Sequence, residues 1–217
     1  MRITRTHVIV GGAVTALVAV SATGQVVPAV SATEAKDRLW LAARASAVTS
    51  YLGLVSTVLL GIVLSHPRNR GGWKISKHVF PWHETLSLFV LTFLVVHVAA
   101  LVADPYAGVG IGGALFPGLS SYRTVPVAVG VIALYATILE TVTARFTRLL
   151  PSGRWLTVHR VSAAVLIASW AHGVLAGSDT GALWWMYAAS GALVVLVAAW
   201  RYWVADRPAS STTEVTA

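Results

Sequence analysis

Between Trp40 and Val204 the chain is a succession of apolar runs, each close to the length that carries a helix across a bilayer. In hydrocarbon every backbone N–H and C=O must be satisfied within the protein, so only helices and closed barrels can span it. None of the runs alternates polar and apolar residues as a barrel strand does. Hydrophobic residues make up 56% of the 217 and charged residues 11%, against about a quarter charged in a soluble domain. The sequence therefore reads as all-α, a six-helix transmembrane bundle in contact with lipid and without room for an added soluble domain.

The first span is expected within residues 1–30, whose basic start and small residues near Ser31 and Ala32 also fit a signal-like anchor. The second runs from about Trp40 to Leu64 and the third from about Pro81 to Ala103. Pro81 suits a helix start, where a missing N–H is harmless. A Gly- and Pro-rich connection follows, able to fold over one end of the bundle. The fourth, fifth and sixth spans cover about Val125 to Thr143, Trp155 to Gly177 and Leu183 to Val204. Residues 1–39 thus form a first span and outer connection, residues 40–204 the main membrane domain, and 205–217 a polar tail.

The net charge of +8 does not point to nucleic acid, because the basic residues sit between spans. Arg2, Arg5, Arg68, Arg70, Lys74, Lys77, Arg145, Arg148, Arg154, Arg201 and Arg207 fall on one side. Only Lys36, Arg38 and Arg123, with Arg44 just inside the second span, fall on the other. This asymmetry predicts cytoplasmic N- and C-termini in a multi-pass protein of the plasma membrane. Tryptophans cluster at the expected boundaries, where an amphipathic ring meets the headgroups.

Two of the spans carry two histidines each. His83 and His97 lie on the third span, fourteen residues apart, and His159 and His172 lie on the fifth, thirteen apart. An ionisable residue within a membrane is costly and reads as functional. Alternate spans run parallel, so His83 pairs with His159 at one depth and His97 with His172 at another. The separations amount to roughly 21 and 20 Å along the axis. Two matched imidazole pairs suit four axial ligands for two stacked b-type haems, a path for electrons across the bilayer. With no cysteine in the chain, thiolate metal sites and iron–sulfur clusters are excluded.

Azimuth distinguishes the two spans. At about 100° per residue, fourteen positions return a side chain to within about 40° of its starting face, whereas thirteen leave it about 140° away. An irregularity is therefore expected in the fifth span between His159 and His172, a π-bulge being one form it takes. Haem propionates need cations, for which Arg44 and Arg123 are candidates at the outer end and Lys74, Lys77, Arg154 or Arg160 at the inner. His7, His66 and His78 read as interfacial. Glu140 reads as ion-paired with Arg145 or Arg148, with proton handling as the alternative.

These features resemble the ferric-reductase-like transmembrane family, which includes ferric reductases, NADPH oxidases and the haem subunit of the methionine-sulfoxide reductase system. The resemblance rests on His83-x13-His97, on His159-x12-His172, on SYRTVPVAVGVIALY at residues 121–135, and on RWLTVHR followed by HGVLAGSD, and it covers most of residues 40–204. It implies transmembrane electron transfer through b-type haem, an oxidoreductase function of ferric-reductase type with flavin as the usual donor. Ferric reductases and NADPH oxidases carry FAD- and NAD(P)H-binding domains after the last span, and no such segment follows here. The expected donor is therefore a separate cytoplasmic flavoprotein, carrying the flavin, or a quinol, with an extracytoplasmic acceptor. A quinol-oxidising cytochrome b subunit is the nearest alternative. A metal or proton transporter using the same histidines is the alternative from another class.

Overall fold

The computed structural model describes residues 32–66, 75–151 and 154–205; the expected first span lies outside them. Within them the chain is helical, without strands. It comprises α1 (Ala32–Leu64), α2 (Ser76–Ala103), the short α3 (Gly110–Leu115), α4 (Thr124–Arg145), α5 (Arg154–His159), α6 (Ser162–Ala176) and α7 (Thr180–Ala205), with a 3-10 turn at Thr147–Leu149. Five helical segments are long and apolar enough to cross a membrane, α5 and α6 counting together as one. This is a multi-pass membrane protein.

Helices α1 and α2 form the most extensive helix pair of the bundle, and three hydrogen bonds fix their antiparallel register. His97 Nδ1 meets the Ala43 carbonyl at 2.8 Å, Ser50 Oγ donates to the Val90 carbonyl at 3.2 Å, and His83 Nδ1 meets the Thr57 carbonyl at 2.9 Å. Each step is seven residues on both helices, the repeat that keeps one seam facing a partner. The face of α1 that meets α2 is a stripe of small residues, with Ala43, Ser46, Ser50, Gly53 and Thr57 all buried. Lipid gives no hydrophobic drive for helix association, so close approach over small residues and interhelical hydrogen bonds hold the pair. At Gly53 the approach is tight: a Cβ there would lie 3.0 Å from Val90 Cγ2.

The connection from Asp104 to Arg123 folds over the end of the bundle near His97. Gly108, at φ +66, turns its carbonyl toward the backbone N–H groups of Ser121 and Tyr122, both at 3.2 Å. Tyr122 Oη then reaches the Ala176 carbonyl at 2.9 Å, and Tyr135 Oη the Leu115 carbonyl at 2.7 Å. These bonds tie the cap to α4 and α6.

One local expectation is corrected. Pro81 does not start its helix; α2 begins at Ser76, with Pro81 inside it. The missing N–H there removes one bond, to the Lys77 carbonyl, close to the helix end where carbonyls reach water or headgroups. His66, read as interfacial, is covered by protein. It is 1% exposed and stacks on Trp200, ring centres 4.5 Å apart. His78 is exposed, and His7 lies outside the described residues.

Candidate haem-binding site

The four histidines meet in the two pairs expected from parallel spans. The ring centres of His83 and His159 are 5.9 Å apart, and those of His97 and His172 are 6.5 Å apart; both pairs stand edge to face, at 90° and 73°. The fifth span is interrupted between its histidines, as the unequal spacing demands. Helix α5 ends at His159, Arg160 and Val161 form a turn, and α6 begins at Ser162. The departure is tighter than an α-helix rather than a π-bulge. Val161 N bonds to the Val158 carbonyl and Ala164 N to the Val161 carbonyl, both over three residues. The break frees the azimuth of His159 from that of His172.

Three of the four imidazoles are held by backbone carbonyls. His83 Nδ1 is bound at Thr57, His97 Nδ1 at Ala43 and His172 Nδ1 at Pro126, the last at 2.8 Å. A carbonyl oxygen only accepts, so each Nδ1 carries the proton and each Nε2 keeps its lone pair. This is how metal-binding histidines are usually fixed. His159 differs: its Nδ1 is buried without a hydrogen-bond partner among the described residues.

A helical carbonyl already accepts from the N–H four residues on, so a second donor must pass over the side chain at that position. Here those positions hold Gly61 for Thr57, Ala47 for Ala43 and Gly130 for Pro126. A Cβ at Gly130 would lie 2.5 Å from His172 Nδ1, which no side chain tolerates; at Gly61 it would lie 3.4 Å from His83 Cε1, an ordinary contact. Gly173 is similarly confined, by Tyr187 Oη at 2.8 Å from its would-be Cβ.

The histidine-bearing helices α2 and α6 are not packed directly on one another; α2 leans on α1, and α6 on α4. Between them lies a cleft lined by His97, His172, Leu94, Gly130, Ser169 and Tyr187 among others.

The residues fit haem. A metal–nitrogen bond of about 2.0–2.1 Å on each side, with about 1.2 Å from nitrogen to ring centre, would put the centres of two imidazoles sharing one iron about 6.4–6.6 Å apart. The 6.5 Å of His97 and His172 matches that distance, and the 5.9 Å of His83 and His159 is about half an ångström shorter.

The cation candidates divide. Arg44 is ion-paired with Asp179 at the start of α7, and Arg123 donates to the carbonyls of Leu175, at 2.6 Å, and Gly177, at the end of α6. Arg123 therefore stabilises the C-terminal end of α6, and Arg44 is held by the Asp179 carboxylate. Lys77, Arg154 and Arg160 are exposed, and Lys74 lies outside the described residues. Glu140 does not take Arg145, which pairs with Glu84 instead; its Oε1 is buried without a partner among the described residues. The carbonyls and the residues that clear their approach escaped the sequence reading. Small residues four positions beyond a carbonyl, opposite a membrane histidine, are the signal that would have found them.

A scan against protein-family models, a search of curated proteins and a search of solved structures each return no match.

Proposed function

We propose that the protein carries electrons across a membrane through two b-type haems, each held by one histidine of α2 and one of the α5–α6 span. Bound haem supplies one-electron redox chemistry at iron. The chain's part is to fix ligands, spacing and surroundings. His83 and His159 hold one site and His97 and His172 the other, with three Nδ1 protons committed to carbonyls so that Nε2 is presented to the gap. Small residues on α1 and α4 let the rings reach those carbonyls. The cap between Asp104 and Arg123 covers the His97–His172 end.

The observation that carries this reading is the pair of ring-centre separations, 5.9 and 6.5 Å, across helices that otherwise stand apart. Among the described residues no three metal-ligating side chains converge, whereas a tetrahedral transition-metal site gathers about four. Pairing across a gap therefore favours haem over a transported metal ion.

The charge asymmetry puts the His83–His159 end in the cytoplasm. Electrons then enter there from a flavin or quinol donor and leave beyond His97 and His172 to an extracytoplasmic acceptor, an oxidoreductase subunit of ferric-reductase type. Proteoliposomes enclosing ferricyanide test this. Reduced flavin mononucleotide added outside should reduce the enclosed acceptor only when haem-loaded protein is present. Equal rates with haem-free protein would contradict the proposal.

A further inference from the structure

Among the described residues, one buried polar atom on α4 and one on α5 have no hydrogen-bond partner, and they are complementary. One is the Nδ1 of His159; the other is Oε1 of Glu140, a residue only 8% exposed. The other three site histidines each have a carbonyl, so the orphan at His159 is an exception within one set. A buried donor and a buried acceptor are both costly to leave unmade.

Helix register puts the two at one depth. Helix α4 packs on α6 and on α5, with Pro126 and Gly130 opposite His172. Thirteen residues from His172 to His159 span roughly 20 Å, and ten to fourteen residues from Gly130 or Pro126 to Glu140 span roughly 15–21 Å in the same direction. The facing side also agrees. Gly130, Ala133 and Thr137 line the cleft, and Glu140, three residues past Thr137, falls on the same side of α4 at about 100° per residue. Arg145, the nearest basic residue along the helix, is already taken by Glu84.

We propose that Glu140 is the positioning residue for His159, accepting a hydrogen bond from its Nδ1. The inference rests on the haem reading above and deepens it. Of the four ligands, His159 alone then leans on a side-chain carboxyl group rather than a backbone amide carbonyl. Such a partner makes the imidazole a more basic ligand and favours the oxidised metal. The site at His83 and His159 therefore has the lower midpoint potential, and electrons run downhill toward His97 and His172.

Redox titration followed by absorption, on the purified haem-loaded protein, tests it with Glu140→Gln and Glu140→Ala. The lower midpoint should move positive in Glu140→Gln and further in Glu140→Ala, while the higher midpoint stays in place. Two haems with neither midpoint changed in Glu140→Ala, or both moving together, would overturn the role of Glu140 and leave the haem reading standing. Wild-type protein without haem would overturn the haem reading instead. Proximity has its own readout, because the chain has no native cysteine. In the double variant Glu140→Cys/His159→Cys a short bifunctional thiol reagent should link the two positions, as seen by mass spectrometry. Modification of both thiols without a link would contradict the placement.

Discussion

Gly130 and His172 meet so closely that the glycine has no room for a methyl group: a Cβ would stand 2.5 Å from Nδ1 and 2.6 Å from Cε1 of the imidazole. The ring uses that space to reach the Pro126 carbonyl, one turn before Gly130 on α4. A residue outside the histidine pairs thus decides where His172 stands. Gly130→Ala should displace His172 and reduce bound haem from two per chain to about one, measured as pyridine haemochrome.

Gly61 makes the matched control. Its would-be Cβ is 3.4 Å from His83 Cε1, ordinary van der Waals contact, so Gly61→Ala should keep both haems. Gly61→Val, with two further methyl groups in the same direction, should lose the one at His83 and His159. The same haem assay, applied to all three variants, separates an approach blocked by sterics from a general loss of folding.

How much of this was legible follows from what a sequence encodes. Histidines fourteen and thirteen residues apart on parallel spans specify the pairing, and the odd spacing specifies the break, placed by the structure at Arg160 and Val161. The carbonyl partners were not legible, since every residue has a carbonyl and only the packing of α1 on α2 selects Ala43 and Thr57. Pro81 misled because the preference for a helix's first turn is only a preference, and α2 extends past it to Ser76. His66 stands just beyond an apolar run, and nothing local announces Trp200, far along the chain, as its cover.

The α1–α2 seam should respond differently to polar and steric change. Ser50→Ala removes one interhelical hydrogen bond, and such bonds in membrane proteins average about 0.6 kcal/mol. Gly53→Leu would drive a side chain into Val90, whose Cγ2 is already 3.0 Å from the position of a Cβ, at a typical overpacking cost of about 1–3 kcal/mol. Thermal or denaturant unfolding in detergent should rank Gly53→Leu well below Ser50→Ala.

The ion pair between Glu84 and Arg145 is partly open to its surroundings, with side-chain exposures of 27% and 41%. Exposed pairs of this kind are worth about 0–1 kcal/mol. Arg145→Gln should therefore change unfolding by no more than about 1 kcal/mol and leave haem content at the wild-type value.

Orientation is open to direct labelling in a chain without cysteine. Leu119 and Leu149 are 66% and 63% exposed and lie at opposite ends of α4. Leu149→Cys should react with an impermeant maleimide only from the cytoplasmic side, and Leu119→Cys only from the other. The reverse pattern would invert the direction proposed for electron flow.

The central claim is that two imidazole pairs each hold one haem, and counting haem tests it most directly. A reduced-minus-oxidised absorption spectrum, with haem quantified per chain, should show two b-type haems in the wild-type protein. It should show about one in His97→Ala and about one in His159→Ala. Protein that folds yet remains colourless when expressed with ample haem, or keeps both haems in either variant, would contradict the account.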